Sequence, residues 1–235
     1  MGLTNVLTLS QIAGHVTAFI LSICITVPML IHIREFDGHC LLFTTGQWQE
    51  NDGLFKAEWA SRGYCNFPLA IGFILCLVSL TQIYRLSLLI RNQTESSFFG
   101  LFMDVFIAIN LCALVVVAAV MITLGFIVWC TDMTQRFPSC DTADGQNITN
   151  TNITNINTNG FYIEMGTAQF GAWGSFATWV GLSMFALLKL INNHQVTNMR
   201  VSMYLERQRL VNDGVYSDSL TEPPAASLMG GHNEE

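Results

Sequence analysis

Charge is what this chain has least of. Only 11% of its 235 residues are Asp, Glu, Lys or Arg, against about 25% in typical soluble domains. The net charge of −7 offers no basic footprint for nucleic acid. No His, Asp or Glu set has the spacing of a metal site, and no Ser or Cys sits in an activated-nucleophile pattern. His32 and His39 flank the start of the first loop without the carboxylate–histidine spacing that zinc needs. No catalytic residue, cofactor-binding residue or metal ligand is therefore assigned, and an enzyme is not expected.

What the chain has in their place is apolar length. Four nearly uncharged runs cover residues 9–33, 67–90, 101–129 and 168–190. Each is long enough to cross ~30 Å of hydrocarbon as a helix. In lipid a backbone must satisfy its own hydrogen bonds, so four such runs imply four transmembrane helices. The expected fold class is an all-α membrane protein: a four-transmembrane-helix bundle with a small disulfide-stapled extracellular β-hairpin or sheet. Around the spans lie a short N-terminus (1–8), a first outer loop (34–66), a connection (91–100) and a second outer loop (130–167). A juxtamembrane helix (191–211) and a disordered tail (212–235) follow. No Lys or Arg precedes the first run, and no A-x-A-type site follows it, so it reads as a retained span.

Orientation follows the basic residues. Arg85, Arg91, Lys189, Arg200, Arg207 and Arg209 fall on one side. Arg34, Lys56, Arg62 and Arg136 fall on the other, diluted by acids such as Glu35, Asp37, Glu58, Asp132 and Glu164. This bias puts both termini in the cytosol. The triplets Asn147-Ile-Thr149 and Asn152-Ile-Thr154 are N-glycosylation acceptors in the second outer loop, consistent with a lumenal position.

Cys40, Cys65, Cys130 and Cys140 also fall on the outer side. They read as two disulfides of an oxidising compartment. Three connectivities are possible, and pairing within each loop, Cys40–Cys65 and Cys130–Cys140, is preferred. Cys24, Cys76 and Cys112 lie in spans and read as small apolar residues.

The first outer loop reads as a hairpin. Residues 40–48 are rich in strand formers, and Asp52-Gly53 is a two-residue turn signal. Phe55, Ala57 and Trp59 alternate with Lys56 and Glu58, which puts the aromatic face toward the membrane-side core. Asn66 is expected to cap span two, with Pro68 in its first turn. The Asn/Thr/Ile run at 147–159 reads as a flexible insert.

Few polar groups interrupt the spans. His15 reads as a helix-facing or interfacial histidine. Asp104 lies about one turn inside span three, within reach of Arg85 or Arg91, and Asn110 is expected to bond across helices. Span four carries small residues at four-residue spacing: Gly171/Ser175, Gly174/Thr178 and Ala177/Gly181. Such a face lets helices approach closely, either within the bundle or against another protein.

The order Gly38-His-Cys40-Leu-Leu-Phe-Thr-Thr-Gly46-Gln-Trp48, then Glu58-Trp59 and Cys65, resembles the transmembrane protein 179 family. Ser97-Phe-Phe99, Trp129-Cys130 and Ala168-Gln-Phe-Gly171 with Trp173 are similar too. The resemblance covers roughly residues 3–192, without the insert or the tail, and implies a distantly claudin-like four-pass protein with no established activity. Here Cys40 precedes Gly46-Gln-Trp48, whereas claudins place Gly-Leu-Trp before both cysteines. The C-terminal Asn233-Glu-Glu235 lacks the hydrophobic end that PDZ domains capture.

The function expected is that of a non-enzymatic accessory, adhesion or scaffold protein. It would meet membrane lipids and either another membrane protein or a second copy, through its outer loops and span four. The alternatives are a subunit of an oligomeric channel or transporter, or a vesicle-trafficking tetraspan protein. The expected location is the plasma membrane or secretory-pathway vesicles.

Overall fold

A computed structural model describes residues 3–50, 55–92, 98–146, 148–150, 153–156 and 158–221. Four helices dominate it: α1 (Leu3–Glu35), α2 (Gly63–Asn92), α3 (Phe98–Met133) and α4 (Phe161–Thr221). All four are long and apolar enough to cross a membrane. Each also overruns its expected span, because polar residues at a helix end keep their helical bonds once past the hydrocarbon.

The start of α2 is the clearest shift from expectation. Asn66 does not cap it. The helix begins at Gly63, whose N–H bonds the Ser61 hydroxyl, and the Asn66 N–H already bonds the Arg62 carbonyl. The earlier start places Cys65 on the helix. At the end of α1, Asp37 and Gly38 take positive φ, and the Gly38 N–H bonds back to the Ile33 carbonyl. That left-handed step stops the helix and turns the chain into the sheet.

The neighbours around the bundle follow from close contacts. Gly72 of α2 lies against Ile25 and Thr26 of α1, and Gly171 of α4 lies against the Cys24 backbone of α1. Gln82 and Arg85 of α2 bond Asp104 of α3. Gln169 and Trp173 of α4 both donate to the Thr123 hydroxyl of α3. The cyclic order is therefore α1, α2, α3, α4. The core between them is built from Ala18, Ile25, Leu75, Val115, Ile122, Ala172 and Trp179.

One end of the bundle carries a four-stranded sheet in the order β1-β2-β3-β4. Strands β1 (Cys40–Trp48) and β2 (Phe55–Ala60) pair antiparallel. The Asp52-Gly53 turn between them lies outside the described residues. A register shift between Cys40 and Thr45 accompanies positive φ at Phe43, so β1 bends over the helix ends. The other two strands correct the sequence reading. Residues 147–159 are not irregular throughout: β3 (Ile148–Asn150) joins β2 in parallel, and β4 (Ile153–Ile156) closes back on β3. Ile and Thr favour a pleated backbone, and pairing with β2 overrides the polar composition of the run.

The chain divides into two compact units, residues 1–190 and 191–235. In the second, the helix continues to Thr221 with every residue from Thr197 to Val211 exposed. Residues 212–221 are therefore helical where disorder was expected. Residues 222–235 lie outside the described part.

Candidate functional site

The sheet end is the most constructed part of the molecule. Cys40 of β1 is bonded to Cys65 of α2, and Cys130 of α3 to Cys140 in the turns that follow it. Both cystines tie a loop to a helix. The Gly46 N–H donates to the Asp132 carboxylate at 2.9 Å, which fixes β1 to the end of α3. The Thr44 hydroxyl donates to the Cys40 carbonyl at 2.5 Å and accepts from the Ala60 N–H at 3.1 Å, bridging the shifted register. Two glycines permit the fit. A Cβ on Gly46 would come within 2.7 Å of the Lys56 carbonyl oxygen and closer still to the Phe55 ring. A Cβ on Gly125 of α3 would sit 2.8 Å from Leu42 Cβ.

Most aromatic residues of the loops point inward, while Tyr64 and Tyr162 stay exposed. Phe55 meets Trp129 at 5.4 Å, Trp129 meets Phe161 at 6.2 Å, and Trp48 meets both Phe55 and Phe137. Trp59 stacks on His39 and meets Phe36 edge-on. Phe36, Phe55, Trp129 and Phe161 are fully buried. The face that remains outside is polar. Thr45 pairs with Glu58 and Gln47 with Lys56, and all four side chains are exposed.

Below the sheet, His32 lies wholly buried with neither ring nitrogen bonded. Its Nδ1 is 4.0 Å from the Glu164 carboxylate at the first turn of α4. Burial raises the Glu164 pKa to about 7, and the charge of Glu35, its hydrogen bond and then Asp144 push the same way. Among the described residues no group of three or more His, Cys, Asp or Glu is placed to hold a metal ion.

The opposite end of the bundle gathers polar groups from every helix. Arg85 binds the Asp104 carboxylate through both Nη atoms, at 2.5 and 2.8 Å, and Gln82 adds a third bond at 3.1 Å. Lys189 reaches Gln11 at 3.5 Å. His15 packs edge-on against Trp179 and is buried, with Nδ1 unbonded. Asn110 is not part of this cluster. It is exposed and bonds the Phe106 carbonyl of its own helix, because six residues past Asp104, about 1.7 turns along α3, it faces away from the bundle.

The small residues of span four do not form one face. Gly171 and Gly174 abut α1, and Ser175 is buried. Thr178 bonds back to the Gly174 carbonyl. Ala177 is exposed, and nothing lies within 4 Å of a Cβ built on Gly181. Successive residues turn by about 100°, so the spacing sweeps around the helix rather than along one side. The acceptors Asn147 and Asn152 lie outside the described residues.

Sequence reasoning missed Asp132, Gly125, Glu164 and Lys189 as parts of these ends. Glu164 had a signal, an acid one turn before an apolar run. Asp132 and Gly125 had none, since their partners are 86 residues away for Asp132 and across the sheet for Gly125.

A cystine-stapled sheet standing on four apolar helices defines a claudin-like, integral multi-pass membrane protein. The chain belongs to the transmembrane protein 179/179B family: it matches the Transmembrane protein 179/179B Claudin domain over residues 7–211. That match takes in the insert and the residues after span four, which the motif resemblance leaves out. No solved structure matches the chain.

Proposed function

We propose that this is a non-enzymatic accessory or adhesion protein that presents its sheet end to another membrane protein. Both termini face the cytosol and the sheet faces the lumen or cell exterior. The two cystines at the sheet end support that orientation, since such bonds persist in oxidising compartments. The observation that carries the proposal is the division of the sheet: aromatic groups are consumed in seating it, and a rigid polar face of Thr45, Gln47, Lys56 and Glu58 is left outward. A surface of this kind recognises through hydrogen bonds and charge rather than through apolar anchors.

The test is co-purification from gently solubilised membranes with the parent chain and with Lys56→Glu and Glu58→Lys. Each reversal alone is expected to weaken recovery of the same companion protein, with both cystines still formed. Recovery of the parent as an unaccompanied monomer from several cell types refutes the reading. Cysteine accessibility on intact cells checks the orientation. A channel-subunit reading has support only in the convergence of His15, Gln82 and Asp104. Unchanged ion flux after Asp104→Asn would remove it.

A further inference from the structure

The charges at the end of the bundle opposite the sheet do not balance. Arg85 and Lys189 each bond a residue that lines a cleft, Asp104 and Gln11, and among the described lining residues Asp104 is the one carboxylate. Arg85 already holds both oxygens of Asp104. Lys189 is 6% exposed, and its bond is to the neutral amide of Gln11 at 3.5 Å. Among the described residues no carboxylate oxygen lies within 4.0 Å of its Nζ. A charge taken out of water needs a partner, and in a membrane the need is greater.

The cleft is lined by Gln11, His15, Gln82, Asp104 and Trp179, among others, with about 340 Å³ of unfilled space counted out to open solvent. Its enclosed part has room for roughly one water. The unbonded Nδ1 of buried His15 and the lining amides are suitable partners for that water. A larger anion does not fit inside, but Arg85 stands beside the lining and its side chain is 40% exposed.

We propose that the surface at Arg85, beside this cleft, binds an anionic phosphate group, with Arg85 as its contact and the second positive charge of Lys189 nearby. The phosphate is that of an anionic lipid headgroup or of a soluble phosphate. Basic pockets between transmembrane helices bind headgroups by this chemistry. The site uses none of the residues assigned to the sheet face, so it stands or falls separately from the proposed function.

The experiment uses the full chain in mixed micelles, titrated with phosphatidylserine, with phosphatidylcholine and with inorganic phosphate. Thermal stability and lipid retained in native mass spectra are read out. Phosphatidylserine, with its net negative headgroup, is expected to stabilise the parent and to be retained, while phosphatidylcholine, whose phosphate is neutralised by its choline, is not. Lys189→Met is expected to weaken retention about fivefold, the effect of one basic residue on headgroup attraction. Lys189→Arg is expected to keep it. Protection by inorganic phosphate equal to that by phosphatidylserine assigns the site to a soluble anion. Equal retention of the two lipids with no effect of phosphate overturns the proposal. So does undiminished phosphatidylserine retention by folded Lys189→Met, the result expected if the lysine is uncharged. If that variant does not fold, Lys189→Gln decides by the same readout.

Discussion

At the sheet end, two cystines, interlocking aromatic rings and glycine-sized gaps hold four strands against the helix ends. At the other end, Arg85 and Gln82 hold Asp104, and Lys189 reaches Gln11, beside a cleft that His15 helps to line. The first arrangement is covalent and apolar, and it tolerates exposure to water. The second is ionic and hydrogen-bonded, and it gains strength from the low dielectric between helices. The contrast teaches that this bundle does not rely on one packing principle along its length. A short sheet of few strands is marginal in water, so it is stapled. Apolar helices gain little from one another in lipid, so polar pairs fix them.

The largest effect expected on this contrast comes from removing the Cys40–Cys65 bond. It closes a separation of 25 residues against 10 for Cys130–Cys140. On the loop-entropy account its loss costs about 3.5 kcal/mol, and loss of the shorter one about 2.7 kcal/mol. Cys40→Ala with Cys65→Ala is expected to speed amide exchange across β1 and β2 while the amides around Asp104 stay protected. Equal loss of protection at both ends would show that the two regions are one cooperative unit.

The spans were legible because an uncharged run of that length has few other uses. The cysteine pairing was legible because both pairs close short loops on one side. The hairpin was legible from alternation at Phe55, Lys56, Ala57, Glu58 and Trp59, where a half-buried strand writes its period into the sequence. The joining strands β3 and β4 were not, because a run of Asn, Thr and Ile matches a solvated insert by composition while its β-branched residues fit a ladder. Asn110 and Ala177 were misread for one reason: helical facing depends on where the neighbours stand, and local spacing does not contain that. The Lys189–Gln11 contact joins residues 178 apart in sequence, and no local pattern announces it.

A second, smaller effect probes how tightly the stapled end is packed. Gly125→Ala sets a methyl 2.8 Å from Leu42 Cβ and 3.1 Å from its Cα. Backbone cannot move aside as a flexible side chain does, so the expected cost is about 1–3 kcal/mol. Gly181→Ala meets nothing within 4 Å and is expected to be neutral or slightly stabilising, since alanine is the better helix former. Thermal denaturation of the two variants side by side checks this. Equal melting temperatures would mean that β1 is not seated against α3.

The smallest effect expected is a pH dependence confined to the sheet end. Burial, with Glu35 and Asp144 nearby, raises Glu164 from 4.5 to about 7, and His32 Nδ1 faces it at 4.0 Å. The folded chain thus favours the protonated carboxyl. Its contribution is fully present below the ordinary value of 4.5 and is lost as pH rises through about 7. Because part of the group meets solvent, the effect is on the order of 1 kcal/mol, a shift of roughly 2–4 °C between pH 5 and pH 8. Glu164→Gln is expected to flatten that slope without changing lipid retention at the far end. A slope that survives Glu164→Gln would show that the Glu164 carboxyl is not its source.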